Sequence, residues 1–148
     1  MRPKAARTGA RSRARELIVQ SLYQRQMTGH SESELLAQFR NCPDYERVDQ
    51  KYFDEALSAI CRNTQQLEAR IDKLADRPLS QLDPVERGIL LLGFYELQEK
   101  PDVPFKVVIN ESVNIAKRFG ALDGHKYINA LLDRAVKEIR PDKEPRSS

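Results

Sequence analysis

Apolar residues recur every three or four positions through most of this chain, and no segment alternates apolar with polar over a strand's length. That periodicity predicts an all-α protein of about seven helices. The first runs from about Arg11 to Thr28, with Leu17, Ile18, Ser21 and Leu22 as its inner stripe and Gly29 as its stop. Ser31, with Glu34 three residues on, forms a capping box, so a short helix follows from about Ser33 to Arg40. Asn41 to Arg47 reads as a loop around Pro43. Asp49 caps a third helix, which turns Phe53, Leu57 and Ile60 or Cys61 inward. Asn63 interrupts, and a fourth helix from Thr64 to Ala75 turns Leu67, Ile71 and Leu74 inward.

The stretch "DPVERGILLLGFYEL" opens a fifth helix. Asp83 is its cap, Pro84 suits its first position, and Glu86 completes an Asp-x-x-Glu box. "GILLLGFY" is apolar on every side, which places this helix at the centre of a core. Gly88 and Gly93 each cost about 1 kcal/mol of helix propensity, which suggests close packing at both. After a turn from Lys100 to Val103, Pro104 opens a sixth helix with Phe105, Val108, Ile109, Val113, Ala116 and Phe119 inward. Lys117 and Arg118 suit its C-terminal dipole, and Gly120 ends it. Asp123 caps a seventh helix with Ile128, Leu131, Leu132, Ala135 and Ile139 inward, and Pro141 stops it. The expected organisation is a flexible basic arm over 1–10, an N-terminal helical subdomain over 11–79, a C-terminal one over 80–141, and a disordered tail over 142–148.

Charge changes the picture at one end. The net charge of +3 over 148 residues is unevenly distributed: residues 1–15 hold Arg2, Lys4, Arg7, Arg11, Arg13 and Arg15 and no acid. The excess of acids therefore lies in the rest of the chain. A local concentration of this kind favours a polyanionic partner. Other chemistry is missing. Cys42 and Cys61 have no zinc-ligand spacing and read as free thiols of a reducing compartment. There is no phosphate loop, no His-Glu-x-x-His and no dinucleotide-binding turn, so the reading is a non-enzyme with no cofactor and no metal. No run approaches the ~20 apolar residues of a membrane span. Arg15, Glu16 and Gln20 interrupt what a signal peptide would need, and the expected location is cytoplasmic.

Two places could meet nucleic acid. Arg11, Arg15, Val19 and Tyr23 fall at successive i+4 steps along one side of the first helix. Guanidinium groups neutralise phosphates, and a tyrosine ring offers a face on which an unpaired base can stack. The plainer alternatives are a half-buried core tyrosine and a solvated terminus. At the start of the seventh helix, Asp123 and Tyr127 share a side, with Lys126 beside them. There the plainer alternative is a core tyrosine with an ordinary capping aspartate. The residues alone leave two functions open, an RNA-binding protein or a helical protein-interaction adaptor whose basic tail is incidental. A helix-turn-helix DNA reader fits less well, because no short turn precedes an exposed polar recognition helix.

Four stretches, "SRARELIVQSLYQ", "DPVERGILLLGFYEL", "DVPFKVVINESVNIAKRFG" and "HKYINALLDRAV", resemble in order and spacing the bacterial transcription antitermination factors of the NusB family. The resemblance extends from about Arg11 to Pro141. It implies two packed helical subdomains without catalytic activity. It also implies binding of single-stranded boxA RNA together with the ribosomal protein NusE, in a complex with RNA polymerase and other Nus factors. Residue by residue, the arginine-rich arm of the family matches Arg11, Arg13 and Arg15, and its first-helix tyrosine matches Tyr23. The aspartate and aromatic of its last helix match Asp123 and Tyr127, with Lys126 between them; Glu86 matches a position facing NusE. Tyr127 stands where phenylalanine is common. Surface awaiting a partner also allows a homodimer.

Overall fold

The computed structural model describes the backbone from Lys4 to Asp142 and the side chains from Gly9 to Asp142. The side chains of Arg2, Lys4 and Arg7, and the tail beyond Asp142, lie outside the described residues. The protein is all-α. Its helices are α1 (Lys4–Thr28), α2 (Glu32–Arg40), α3 (Gln50–Arg62), α4 (Thr64–Leu74), α5 (Pro84–Glu99), α6 (Phe105–Phe119) and α7 (Gly124–Ile139). Short 3₁₀ turns span Pro43–Arg47 and Leu79–Gln81. The chain forms two compact units that divide between Asn63 and Thr64. Because α4 packs on α5 and α7, the second unit starts one helix before the seam placed between residues 79 and 80.

In the first unit, α1 packs on α3, on α2 and on the Pro43–Arg47 turn. Local signals set the helix starts. The Glu34 N–H donates to Ser31 Oγ at 3.2 Å, and the Ser31 N–H donates to Glu34 Oε1 at 2.8 Å, which completes the box that starts α2. The Tyr52 N–H donates to Asp49 Oδ1 at 3.1 Å and starts α3. Phe53 is fully buried, with Phe39 at 6.4 Å and the edge of Tyr45 at 5.7 Å between ring centroids. Arg62 grips Glu32 with two hydrogen bonds of 3.0 and 3.1 Å, tying the end of α3 to the start of α2.

Two features of α1 differ from expectation. It begins at Lys4, so residues 4–10 are helical and not a flexible arm. Ala5, Ala6 and Ala10 are strong helix formers, and the propensity cost of Gly9 does not end the helix. Its buried stripe is also wider than expected. Leu17, Ile18, Ser21 and Leu22 are buried, but so are Ala10, Ala14, Arg15 and Val19. A helix contacting several neighbours buries more than one face.

In the second unit, α5 is packed by α4, α6 and α7. Every residue from Gly88 to Leu97 is buried. Each fully buried large apolar side chain there contributes about 1.5–3 kcal/mol. A Cβ at Gly93 would sit 3.0 Å from Leu132 Cδ2 and 3.4 Å from Ser112 Oγ, so the missing side chain lets α6 and α7 approach. At the start of α5, Pro84 occupies the first turn and Asp83 Oδ1 accepts from the Val85 N–H at 2.7 Å. At its end the closure is tertiary. Arg140 is 6% exposed and donates from Nε to Leu97 O at 3.0 Å and from Nη1 to Val103 O at 2.7 Å. Its Nη2 donates to Glu96 O at 3.0 Å and to Lys100 O at 2.8 Å. Glu96 O and Lys100 O also accept backbone N–H groups, from Lys100 at 3.0 Å and Val103 at 2.9 Å, but Leu97 O would look to Pro101, which has no N–H, so the guanidinium supplies its donor.

Arg140→Ala should lower unfolding stability by about 2 kcal/mol or more, because the Leu97 and Val103 carbonyls lose their donor together. Urea denaturation measures this. Arg140→Lys should restore little of the loss, since an ammonium cannot reproduce the planar fork; full recovery by lysine would contradict the account.

Candidate nucleic-acid interface

The first unit brings its candidates together on α1 and separates them by burial. Arg13 is exposed and, among the described residues, has no ion-pair partner. Arg11 donates from Nε to Asp49 Oδ2 at 3.1 Å, and its side chain keeps 38% of its surface exposed. Its guanidinium carbon lies 4.1 Å from the centroid of the Tyr52 ring. Arg15 does not take part in an exposed row. It is 4% exposed, with its guanidinium carbon 5.7 Å from the same Tyr52 centroid. The row Arg11, Arg15, Val19 and Tyr23 shares one side as the spacing requires, but that side turns toward α3 until its last member. Tyr23 is 42% exposed, and Met27 one turn further is 54% exposed.

The second unit brings its candidates together at the link between α6 and α7. Asp123 has φ 66°, the left-handed conformation, and its side chain makes no capping hydrogen bond, contrary to expectation. Its carboxylate instead lies 3.5 Å from Lys126 Nζ, in a pair that remains mostly exposed. Such a pair is worth about 0–1 kcal/mol. Backbone bonds start the helix, from the Gly124 N–H to Ala121 O at 3.0 Å and from the Lys126 N–H to Asp123 O at 3.1 Å. Tyr127 is half-buried. The Arg77 guanidinium carbon sits 4.4 Å from its ring centroid, and its hydroxyl is buried with no hydrogen-bond partner among the described residues. One face of the ring thus already carries a cation.

Glu86 also departs from expectation. Asp83 caps α5 without it, and Glu86 is 7% exposed. Its carboxylate fills the space where Gly124 would carry a Cβ, and Oε2 has no hydrogen-bond partner among the described residues. Burial pushes its pKa up, and the nearby Asp83 charge adds to the rise; a hydrogen bond from the Ala121 backbone and the charge of Arg77 oppose it. The pattern Asp-x-x-Glu offers Glu86 a local box, but the side chain instead takes the space beside Gly124 across the unit.

Three further residues at this link were not foreseen as surface. Phe119 is 44% exposed although its spacing from Ile115 and Ala116 puts it on the inner stripe. It is the last residue of α6, so it overhangs the core, and the Arg118 guanidinium carbon lies 4.9 Å from its ring centroid. Leu122 is 95% exposed. Arg77 was missed because its partner, Tyr127, is remote in sequence. Each unit therefore sets arginine guanidiniums against tyrosine rings, Arg11 and Arg15 at Tyr52 and Arg77 at Tyr127. Among the described residues no group of His, Cys, Asp and Glu could hold a metal ion, and no helix is long and apolar enough to cross a membrane.

Comparison with known proteins identifies the family. Residues 12–137 match the model of the NusB family. The chain is 43% identical over 133 residues to the transcription antitermination protein NusB of Paraburkholderia phymatum, covering 90% of this chain and 92% of that one. It is 44% identical over 138 residues to the protein of the same name from Marinobacter nauticus, covering 93% and 85%. The solved structure of T. maritima NusB superposes with a TM-score of 0.76 at 26% identity, covering 91% of this chain and 93% of that chain.

Glu86 supplies a pH test. A carboxyl whose folded pKa is raised binds its proton more tightly when folded, so wild-type stability falls as pH rises from the ordinary glutamate range through the raised value. Glu86→Gln removes that loss. It should make the protein more stable than wild type at neutral pH, with the difference vanishing in acid. Melting curves across pH measure it, and a Glu86→Gln protein less stable than wild type at neutral pH would mean the carboxylate is stabilised in its charged form.

Proposed function

The chain belongs to the NusB family, and on that premise we propose that it is an RNA-binding transcription antitermination factor. It takes single-stranded boxA-type RNA together with the ribosomal protein NusE, and joins RNA polymerase with other Nus factors. The observation that carries the reading lies on α1. A cation at Arg13 and a large ring at Tyr23 are both open on one unbroken helix. They lie about 15 Å apart along its axis and about 80° around it. Arg11 adds a half-exposed guanidinium. Arg15, being buried, acts by ordering this end of the helix. Asp123, Lys126 and Tyr127 form the RNA-facing part of the second unit, where the ring of Tyr127 already stacks on Arg77. Glu86 enters partner recognition by shaping the link that ends at Gly124.

The alternative, an adaptor with an incidental tail, draws on the exposed Phe119 and Leu122. A gel shift with a boxA-like single-stranded RNA across salt, with and without NusE, separates the two. With about three to five phosphate contacts, log affinity should fall against log salt with a slope of about −2 to −4. Arg13→Ala should weaken binding and reduce that slope by about 1. Tyr23→Ala should cost about 1–3 kcal/mol of binding with the fold intact. RNA affinity indifferent to salt and to both substitutions would leave the adaptor.

A further inference from the structure

We propose that Asp49 and Tyr52 are positioning residues that hold the Arg11 guanidinium ready for an RNA phosphate. The inference rests on the RNA reading above and says how its site is built. Three contacts converge on Asp49. Its Oδ1 accepts from the Tyr52 N–H at 3.1 Å and starts α3. Its own N–H donates to Ala10 O at 3.0 Å. Its Oδ2 accepts from Arg11 Nε at 3.1 Å. The basic end of α1 is thus fastened to the start of α3 through backbone and side chain at adjacent residues.

The guanidinium is fixed in two ways. Asp49 holds its Nε edge, and the ring of Tyr52, itself 4% exposed, lies 4.1 Å from its carbon. The buried Arg15 packs near the same ring at 5.7 Å. A guanidinium is a planar fork of five N–H donors, and an acid on the Nε edge leaves donors on the Nη groups. Among the described residues nothing else engages Arg11, and 38% of its side chain is exposed. An arginine fixed this way meets a phosphate without first losing its rotamer freedom. Arg13, with no such holder, contributes charge alone.

The sign of one substitution decides the matter. By charge alone, Asp49 opposes a polyanion, so neutralising it should tighten RNA binding. If Asp49 positions Arg11, neutralising it should loosen binding instead. Asp49→Asn keeps a good cap for α3 while removing the charge that holds Arg11. In the full chain, titrated with a single-stranded RNA oligonucleotide across salt, Asp49→Asn should bind about three- to tenfold more weakly. Its salt slope should be shallower by about 1, a change that a purely structural role would not produce. Arg11→Lys keeps the charge but loses the fork and the stack, and should show the same loss. Melting temperatures accompany both variants; if Asp49→Asn unfolds, Arg11→Lys decides, because it leaves the cap untouched. Equal or tighter binding by a folded Asp49→Asn overturns the inference while the RNA reading stands. Absence of salt-dependent RNA binding by the unaltered protein overturns both.

Discussion

A helix packed by protein on every side along its length must still find partners for its terminal N–H and C=O groups. This constraint governs the second unit. Helix α5 is buried from Gly88 to Leu97. Its first turn is closed cheaply by neighbours in sequence, Asp83 and Pro84. Its last turn is closed by a residue from beyond α7, Arg140, whose fork reaches four carbonyls. The clamp also pins the turn before α6, through Val103 O, and the end of α7. The helices that carry the α6–α7 link are therefore fixed to a common centre, and that link presents Asp123, Lys126, Phe119 and Leu122.

The first unit uses charge differently. Arginines at the start of α1 are spread over three environments within five residues. Arg13 is open, Arg11 is held between an acid and a ring, and Arg15 is buried. A uniformly solvated basic terminus would show no such gradation. Cation–ring contacts of this kind are worth about 0.5–2 kcal/mol, more as water is excluded. Two such contacts on Tyr52 make the basic end of α1 part of the fold. That rigidity also accounts for the absence of a linker between the arginines and the apolar stripe.

Local signals carried much of this architecture in the sequence. The Ser31–Glu34 box, the Asp49 and Asp83 caps, the Asn63 break and the all-apolar α5 depend on residues a few positions apart, and each stands where spacing puts it. NusB family membership was legible from four motifs. What periodicity could not show depends on partners distant in the chain. Tyr52 draws Arg15 inward although an arginine near a terminus reads as solvated. Gly124 receives Glu86 although the box pattern assigns that side chain to its own helix. Phe119 keeps the phase of the inner stripe, but the stripe outlasts the core by one residue. Asp123 stands at the capping position, yet its left-handed backbone turns the carboxylate toward Lys126. Arg140 gave no signal in the sequence, because the carbonyls it reaches lie some forty residues away.

The reach of Arg140 has a consequence for how the protein is made. Synthesis runs from the N-terminus, and domains form in that order as they emerge. Every contact within the unit ending at Asn63 is available early. Leu97 O at the end of α5, by contrast, must wait more than a helix pair's length for its donor. During that interval the most apolar segment of the chain exists without its final lock. Nascent chains halted between Glu99 and Arg140 should thus be the ones that most need a chaperone's shelter.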